Sequence, residues 1–199
     1  QLKWYQLFGL LAENCPTEIK SKFGFLNIES LNLGEKGSYG FFEKVKEFPD
    51  LLYLATDRNL PNLSIKCPVL KQLDFRRFTL KHDERLDLSL LEGCNFLEEI
   101  NLCYQEAMLL SDLPILPQLK RLDLRRCWSL REIETLPELP LLEELELAGS
   151  SKLSSLGDLS KFPHLRKINL KGCENLTDLN SLTALNIEEV ILPSEEDSD

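Results

Sequence analysis

Two histidines, six cysteines and recurrent carboxylate pairs are the residues of this 199-residue sequence that could transfer protons, attack as nucleophiles or hold a metal. Their spacing argues against all three. His82 and His164 stand far apart, on segments predicted to be loops or returns. Cys15, Cys67, Cys94, Cys103, Cys127 and Cys173 include no CxxC pair and no Cys/His cluster, so zinc is not expected. Gly149-Ser-Ser-Lys152 lacks the earlier glycine of a phosphate-cradling loop. The pairs Glu98-Glu99, Glu143-Glu144 and Glu188-Glu189 recur at a regular interval, which marks a solvated strand edge rather than an acid/base couple. No catalytic residue, cofactor or metal is expected, and the chain reads as a non-enzyme.

The elements that position these residues follow from composition. Forty-five residues are leucine, an excess that points to an internal repeat. With 33 Asp and Glu against 23 Lys and Arg the net charge is −10, which disfavours nucleic acid and an acidic membrane surface as partners. No apolar run is long enough to span a membrane. The apolar start lacks the basic region and cleavage site of a signal peptide, and opening on Gln1 it is expected to be part of a longer chain.

The repeat is LxxLxL. Copies start at Ile28, Leu51, Leu70, Leu97, Leu119, Leu142, Leu165 and Ile187, in steps of 19 to 27 residues. Two further columns agree with this frame. Three residues before each start stands an apolar residue (Phe25, Phe48, Cys67, Cys94, Leu116, Leu139, Phe162, Ala184), and two before stands proline in five copies. Each x-L-x-L piece alternates with period two, so it predicts a short strand with one buried face. The prolines suit an extended residue entering the strand.

The pattern resembles the leucine-rich repeat over roughly residues 25–193. The fold expected is an α/β solenoid, a leucine-rich repeat horseshoe of about eight repeats with a parallel concave sheet and few long helices. Residues 1–24 are expected to be an N-terminal cap or partial repeat, and 194–199 an acidic tail that frays. The resemblance also implies that Cys127, Ser150 and Cys173 fill the slot whose buried polar side chain satisfies the loop backbone of the next repeat. Cys67 and Cys94 fall in the apolar column before the strand, so four cysteines are core positions and favour reduced thiols in an intracellular, cytoplasmic setting. Cys103 and Cys15 are then the thiols expected to react first. The sequons at Asn62 and Asn175 keep a secreted alternative open.

Repeat positions 3, 5, 7 and 8 should face solvent on the concave side. Five of the nine arginines fall there, Arg76 and Arg77 in the third repeat and Arg121, Arg125 and Arg126 in the fifth, flanking Cys103 and Tyr104. Strands lie about 4.8 Å apart, so the two sets stand roughly 10 Å from each other. Arginines around Tyr104, with Trp128 just past the strand, could anchor a carboxylate, phosphate or acidic segment. Asp74 and Asp123, each two residues before an arginine on the same face, could equally quench it, and a charged face also keeps a sheet soluble. The candidate partner surface is therefore Arg76, Arg77, Tyr104, Arg121, Arg125, Arg126, Asp74, Asp123 and Trp128.

Segments such as LKRLDLRRCWSLREI, LEELELAGSSKLSSL and LRKINLKGCENLTDL closely resemble the C-terminal repeats of plant intracellular nucleotide-binding immune receptors. That resemblance implies a protein-recognition module that senses pathogen effectors or restrains its own upstream domains. The alternatives are a bacterial effector or host adaptor gripping a host protein, and the recognition part of a larger enzyme.

Overall fold

A computed structural model of the chain describes residues 29–33, 48–56, 59–60, 62–75, 85–105 and 108–193, the side chain of Ala184 excepted. The proposed cap (1–24), the acidic tail, Cys15, Arg76, Arg77 and His82 lie outside them. Eight strands form one sheet: β1 (Ser30–Asn32), β2 (Tyr53–Thr56), β3 (Gln72–Phe75), β4 (Glu99–Asn101), β5 (Arg121–Asp123), β6 (Glu144–Glu146), β7 (Lys167–Asn169) and β8 (Glu189–Ile191). They stack in sequence order and every neighbouring pair is parallel. This is the leucine-rich repeat solenoid that the periodicity predicts.

Register follows the frame. The fourth repeat position forms one row across the sheet, Leu31, Leu54, Leu73, Ile100, Leu122, Leu145, Ile168 and Val190. From Leu31 to Ile168 that row is buried, and it joins the leucines of the first and sixth positions in one continuous core. A one-residue slip would turn the whole row to solvent, so the alternation sets the register. The single α-helix among the described residues, α1 (Leu63–Lys66), has four residues; short 3₁₀ turns occupy the returns before β4, β5, β7 and β8, and the return between β5 and β6 holds turns and bends but no helix. Asp87 and Asp158 cap two of these turns, each accepting from the N–H two residues on.

Each strand-entry proline is also the second residue of a hydrogen-bonded turn: the first leucine of the repeat donates its N–H three residues back, as in Leu119 to Leu116 and Leu142 to Leu139 (both 3.1 Å). Proline's fixed φ suits that second position, and its missing N–H removes no bond.

The slot at repeat position 9 is also corrected. Its side chain serves the preceding repeat, not the next. Cys127 Sγ donates to the carbonyl of Leu102 (3.3 Å), Ser150 Oγ to Leu124 (3.0 Å) and Cys173 Sγ to Leu147 (3.3 Å). Gln105, which the frame places in the same column, extends the ladder to Phe75 through Nε2 (3.1 Å). Each donor meets a sixth-position carbonyl that the strand ladder no longer reaches; the Leu147 carbonyl also accepts the Ser150 N–H (3.1 Å), whereas a buried carbonyl left bare would cost about 1–3 kcal/mol.

Candidate functional site

Two rows of charge cross the open face of the sheet. At repeat position 2 stand Lys71, Glu98, Lys120, Glu143, Arg166 and Glu188; at position 3, in register, Glu99, Arg121, Glu144, Lys167 and Glu189. Signs alternate along both rows, because acidic and basic repeats alternate. Lys71 and Lys120 both reach Glu98 (2.8 and 2.9 Å), Arg121 reaches Glu144 (3.0 Å), and Lys167 lies between Glu144 (3.8 Å) and Glu189 (3.5 Å). The two lysines hold the Glu98 carboxyl below its ordinary range. Glu98, Glu144, Glu188 and Glu189 thus take part in inter-strand ion pairs, and Arg121 is engaged by Glu144 rather than presented free.

The fifth position turns inward. Asp123 is only 4% exposed. Its carboxylate accepts from Arg125 Nε (3.0 Å to each oxygen) and Nη2 (2.6 Å), from the Arg125 backbone N–H (3.1 Å) and from the Cys103 thiol (3.0 Å). Burial alone would push this carboxyl upward; the Arg125 guanidinium, the Cys103 thiol and the backbone N–H outweigh it and hold it below its usual range. Asp123 therefore positions Arg125 and closes the turn after β5, and Asn101 and Asn169 accept from the N–H two residues on in the same way. The quenching of Arg125 by Asp123 is realised. Asp74 is half-buried and accepts from the Tyr53 hydroxyl (3.2 Å).

This network also changes the place of Cys103. Burial, then the hydrogen bond to Asp123 and the nearby negative charge, push its thiol up to about 12. Cys67 and Cys127 rise to about 12 and Cys94 and Cys173 to about 11, chiefly through burial, and all five are free thiols. Cys103 is accessible in part, yet no more activated than the core cysteines.

One cluster stays presented to solvent. Tyr104, Arg126 and Trp128 stand just past the C-terminal ends of β4 and β5. The Arg126 guanidinium lies 5.3 Å from the centre of the Tyr104 ring, and Trp128 meets that ring edge-on at 6.0 Å. The aromatic pair is 37% and 38% exposed. Among the described residues Arg126 has no acidic partner. Beside the cluster, a depression of about 240 Å³ on the face of β2–β5 is lined by Tyr53, Asp74, Glu99, Asn101, Arg121 and Arg125 among others.

The backbone under this cluster is unusual. Repeat position 8 adopts left-handed φ in four successive repeats: Tyr104 (+63°), Arg126 (+56°), Gly149 (+73°) and Gly172 (+72°). Glycine meets this conformation without steric cost, whereas an L side chain there costs roughly 1–2 kcal/mol. Two glycines in one column were the signal that this position is strained, and counting arginines passed over it.

Of the candidate surface, the structure brings Tyr104, Arg126 and Trp128 together in an exposed cluster and engages Arg121, Arg125, Asp74 and Asp123 within the sheet. No family model matches this sequence, and no curated protein does. Among solved structures it is similar to the leucine-rich repeat domain of the type III effector XopL, with 22% identity and a TM-score of 0.47. The match covers 73% of this chain and 43% of that one. Among the described residues no helix is long and apolar enough to cross a membrane.

Proposed function

We propose that the chain is a non-catalytic protein-recognition module, and that its contact surface is the Tyr104–Arg126–Trp128 cluster with the adjoining depression. One observation carries this reading. Tyr104 and Arg126 hold a left-handed backbone that Gly149 and Gly172 fill at no cost in the neighbouring repeats. Solubility does not require a strained residue, whereas strain that the surrounding fold supports is typical of functional positions. The ligand chemistry follows from the side chains. Arg126 offers guanidinium N–H groups to a carboxylate, while Tyr104 and Trp128 offer a rigid apolar surface, so the partner site is an acidic residue beside an apolar one. The partly neutralised strand face makes a polyanion a poor ligand.

The cadence of the repeats supports a finer assignment, the ligand-sensing array of an intracellular innate immune receptor. Its partner is then a pathogen effector or the receptor's own upstream domains, and the buried free thiols fit a reducing compartment. The test is a display selection of protein binders against the intact chain, repeated with a Tyr104→Ala/Arg126→Glu/Trp128→Ala variant. Natural partner sequences lost with the variant support the reading. Partners that bind both proteins equally move the surface elsewhere, and no protein partner at all defeats it.

A further inference from the structure

The depression on the sheet face differs in charge from the Arg126 cluster beside it. Its floor is the backbone of β3 and β4 at Leu73 and Ile100, whose side chains turn into the core and leave each residue only 1% exposed. Three carboxylates (Asp74, Glu99, Asp123) and two guanidinium groups (Arg121, Arg125) line it. Both guanidinium groups are already engaged. Arg125 is tied to Asp123 (2.6 Å) within its own turn, and Arg121 reaches Glu144 (3.0 Å) on β6, the strand on the far side from the depression. Glu99 is left over. It stands in register between Gln72, a neutral amide, and Arg121. Its carboxylate makes no hydrogen bond or ion pair among the described residues. Lys120, just before β5, is held by Glu98 at 2.9 Å. On β3, the next strand, Asp74 adds a second negative charge where it accepts from the Tyr53 hydroxyl (3.2 Å).

We propose that this depression takes a basic side chain of the protein partner, an arginine whose guanidinium lies against Glu99. The planar fork donates in parallel to a carboxylate, and the face of the guanidinium and its apolar stem suit the Tyr53 ring on the wall. An anion in the same place would meet the Glu99 and Asp74 charges with both arginines already neutralised by other carboxylates. The inference deepens the recognition reading above and rests on it for the partner being a protein. That partner is then dipolar, with an acidic and an apolar residue for Arg126, Tyr104 and Trp128, and a basic residue for Glu99. Glu99 and Tyr104 are five residues apart in one repeat, at most about 17 Å at strand rise, so one short segment of a partner spans both.

Three small probes test this: Nα-acetyl-L-arginine methylamide, its citrulline counterpart, which keeps the shape and loses the charge, and its glutamate counterpart. Each is titrated into the intact protein at low salt, and backbone amide NMR shifts locate the contact. Saturable shifts at residues 72–74 and 99–101 are expected for the arginine probe alone. Glu99→Gln should weaken that binding at least about threefold, the scale of an exposed ion pair, and added salt should weaken it in the parent. The substitution is isosteric at an exposed site and leaves the fold intact, which the melting curve checks. The Tyr104→Ala/Arg126→Glu/Trp128→Ala protein should bind the arginine probe as the parent does, so failure of the cluster and failure of the depression give different results. Absence of saturable shifts, equal binding of the citrulline probe, or glutamate-probe binding at the same residues overturns the proposal. So does a Glu99→Gln protein that binds like the parent, or loss of the arginine probe in the triple variant.

Discussion

Arg126 and Gly149 hold the same place in successive repeats, both with left-handed backbone, and one fills the space the other leaves. A Cβ at residue 149 would stand 3.0 Å from Arg126 Cγ. The bare glycine lets the aliphatic stem of Arg126 lie across the next turn while its guanidinium reaches back over Tyr104. Presentation of Arg126 therefore depends on a residue one repeat away.

Substitutions at the two positions should act in opposite directions. Arg126→Gly relieves a strained φ and should raise stability by roughly 1 kcal/mol in urea unfolding, while partner binding falls at least about tenfold. Gly149→Ala should destabilise by about 1 kcal/mol or more, because alanine is strained at φ +73° and also crowds Arg126. An Arg126→Gly protein that unfolds more readily would show that the residue holds the turn together.

Thiol reactivity should expose the Cys103–Asp123 bond. In the folded protein at pH 8 a thiol reagent should modify Cys103 slowly despite its partial exposure, since its thiol titrates only near 12. Asp123→Asn removes the carboxylate charge, and mass spectrometry should then find Cys103 labelled faster. The same raised values set the alkaline limit. A thiol whose folded pKa exceeds its unfolded value supports the fold fully below the unfolded pKa and loses that support as pH climbs through the folded one. With ordinary values of 9.0 and folded values of about 11 to 12 at five cysteines, the melting temperature should fall between pH 9 and 12.

Ion-pair rows predict a failed rescue. Arg121→Glu sets a third carboxylate between Glu99 and Glu144, and should cost about 1 kcal/mol in low salt, less in high salt. Adding Glu144→Arg rebuilds the exchanged pair but brings the new arginine against Lys167, while the carboxylate introduced at position 121 still faces Glu99. The double variant should recover little stability. Full recovery would mean that Arg121–Glu144 acts as an isolated pair.

Ser150 tests the slot ladder. Its hydroxyl donates to the Leu124 carbonyl and accepts from the Cys127 N–H at 3.2 Å, both buried. Ser150→Ala strands both groups and should cost about 1–3 kcal/mol by chemical denaturation. Ser150→Cys keeps a donor of the kind seen at Cys127 and Cys173, and should recover much of that loss. An alanine variant as stable as the parent would remove the ladder from the account of the core.

Leucine spacing by itself determined the strands, their parallel order and which face is buried. Residues such as Leu122 and Leu124 have nowhere to hide within one repeat, so period two and a constant stride dictate stacking. The recurrence of the glutamate pairs was equally legible. What the chain order alone left open was the partner of each side chain. Asp123 and Arg125 lie on one strand end, and their hydrogen bonds withdraw that arginine; Arg121 and Glu144 are neighbours only because consecutive strands align in register. Backbone sign at Tyr104 and Arg126 was another tertiary decision. Nothing in a tyrosine or an arginine requests left-handed φ, and only the stacked turns, aligned with Gly149 and Gly172, impose it. Burial pattern is a one-dimensional property of this sequence. Apart from the Asp123–Arg125 pair inside one repeat, charge pairing and strain arise between repeats, where residues more than twenty positions apart meet at strand spacing, and there the tertiary structure decided which side chains remain available to a partner.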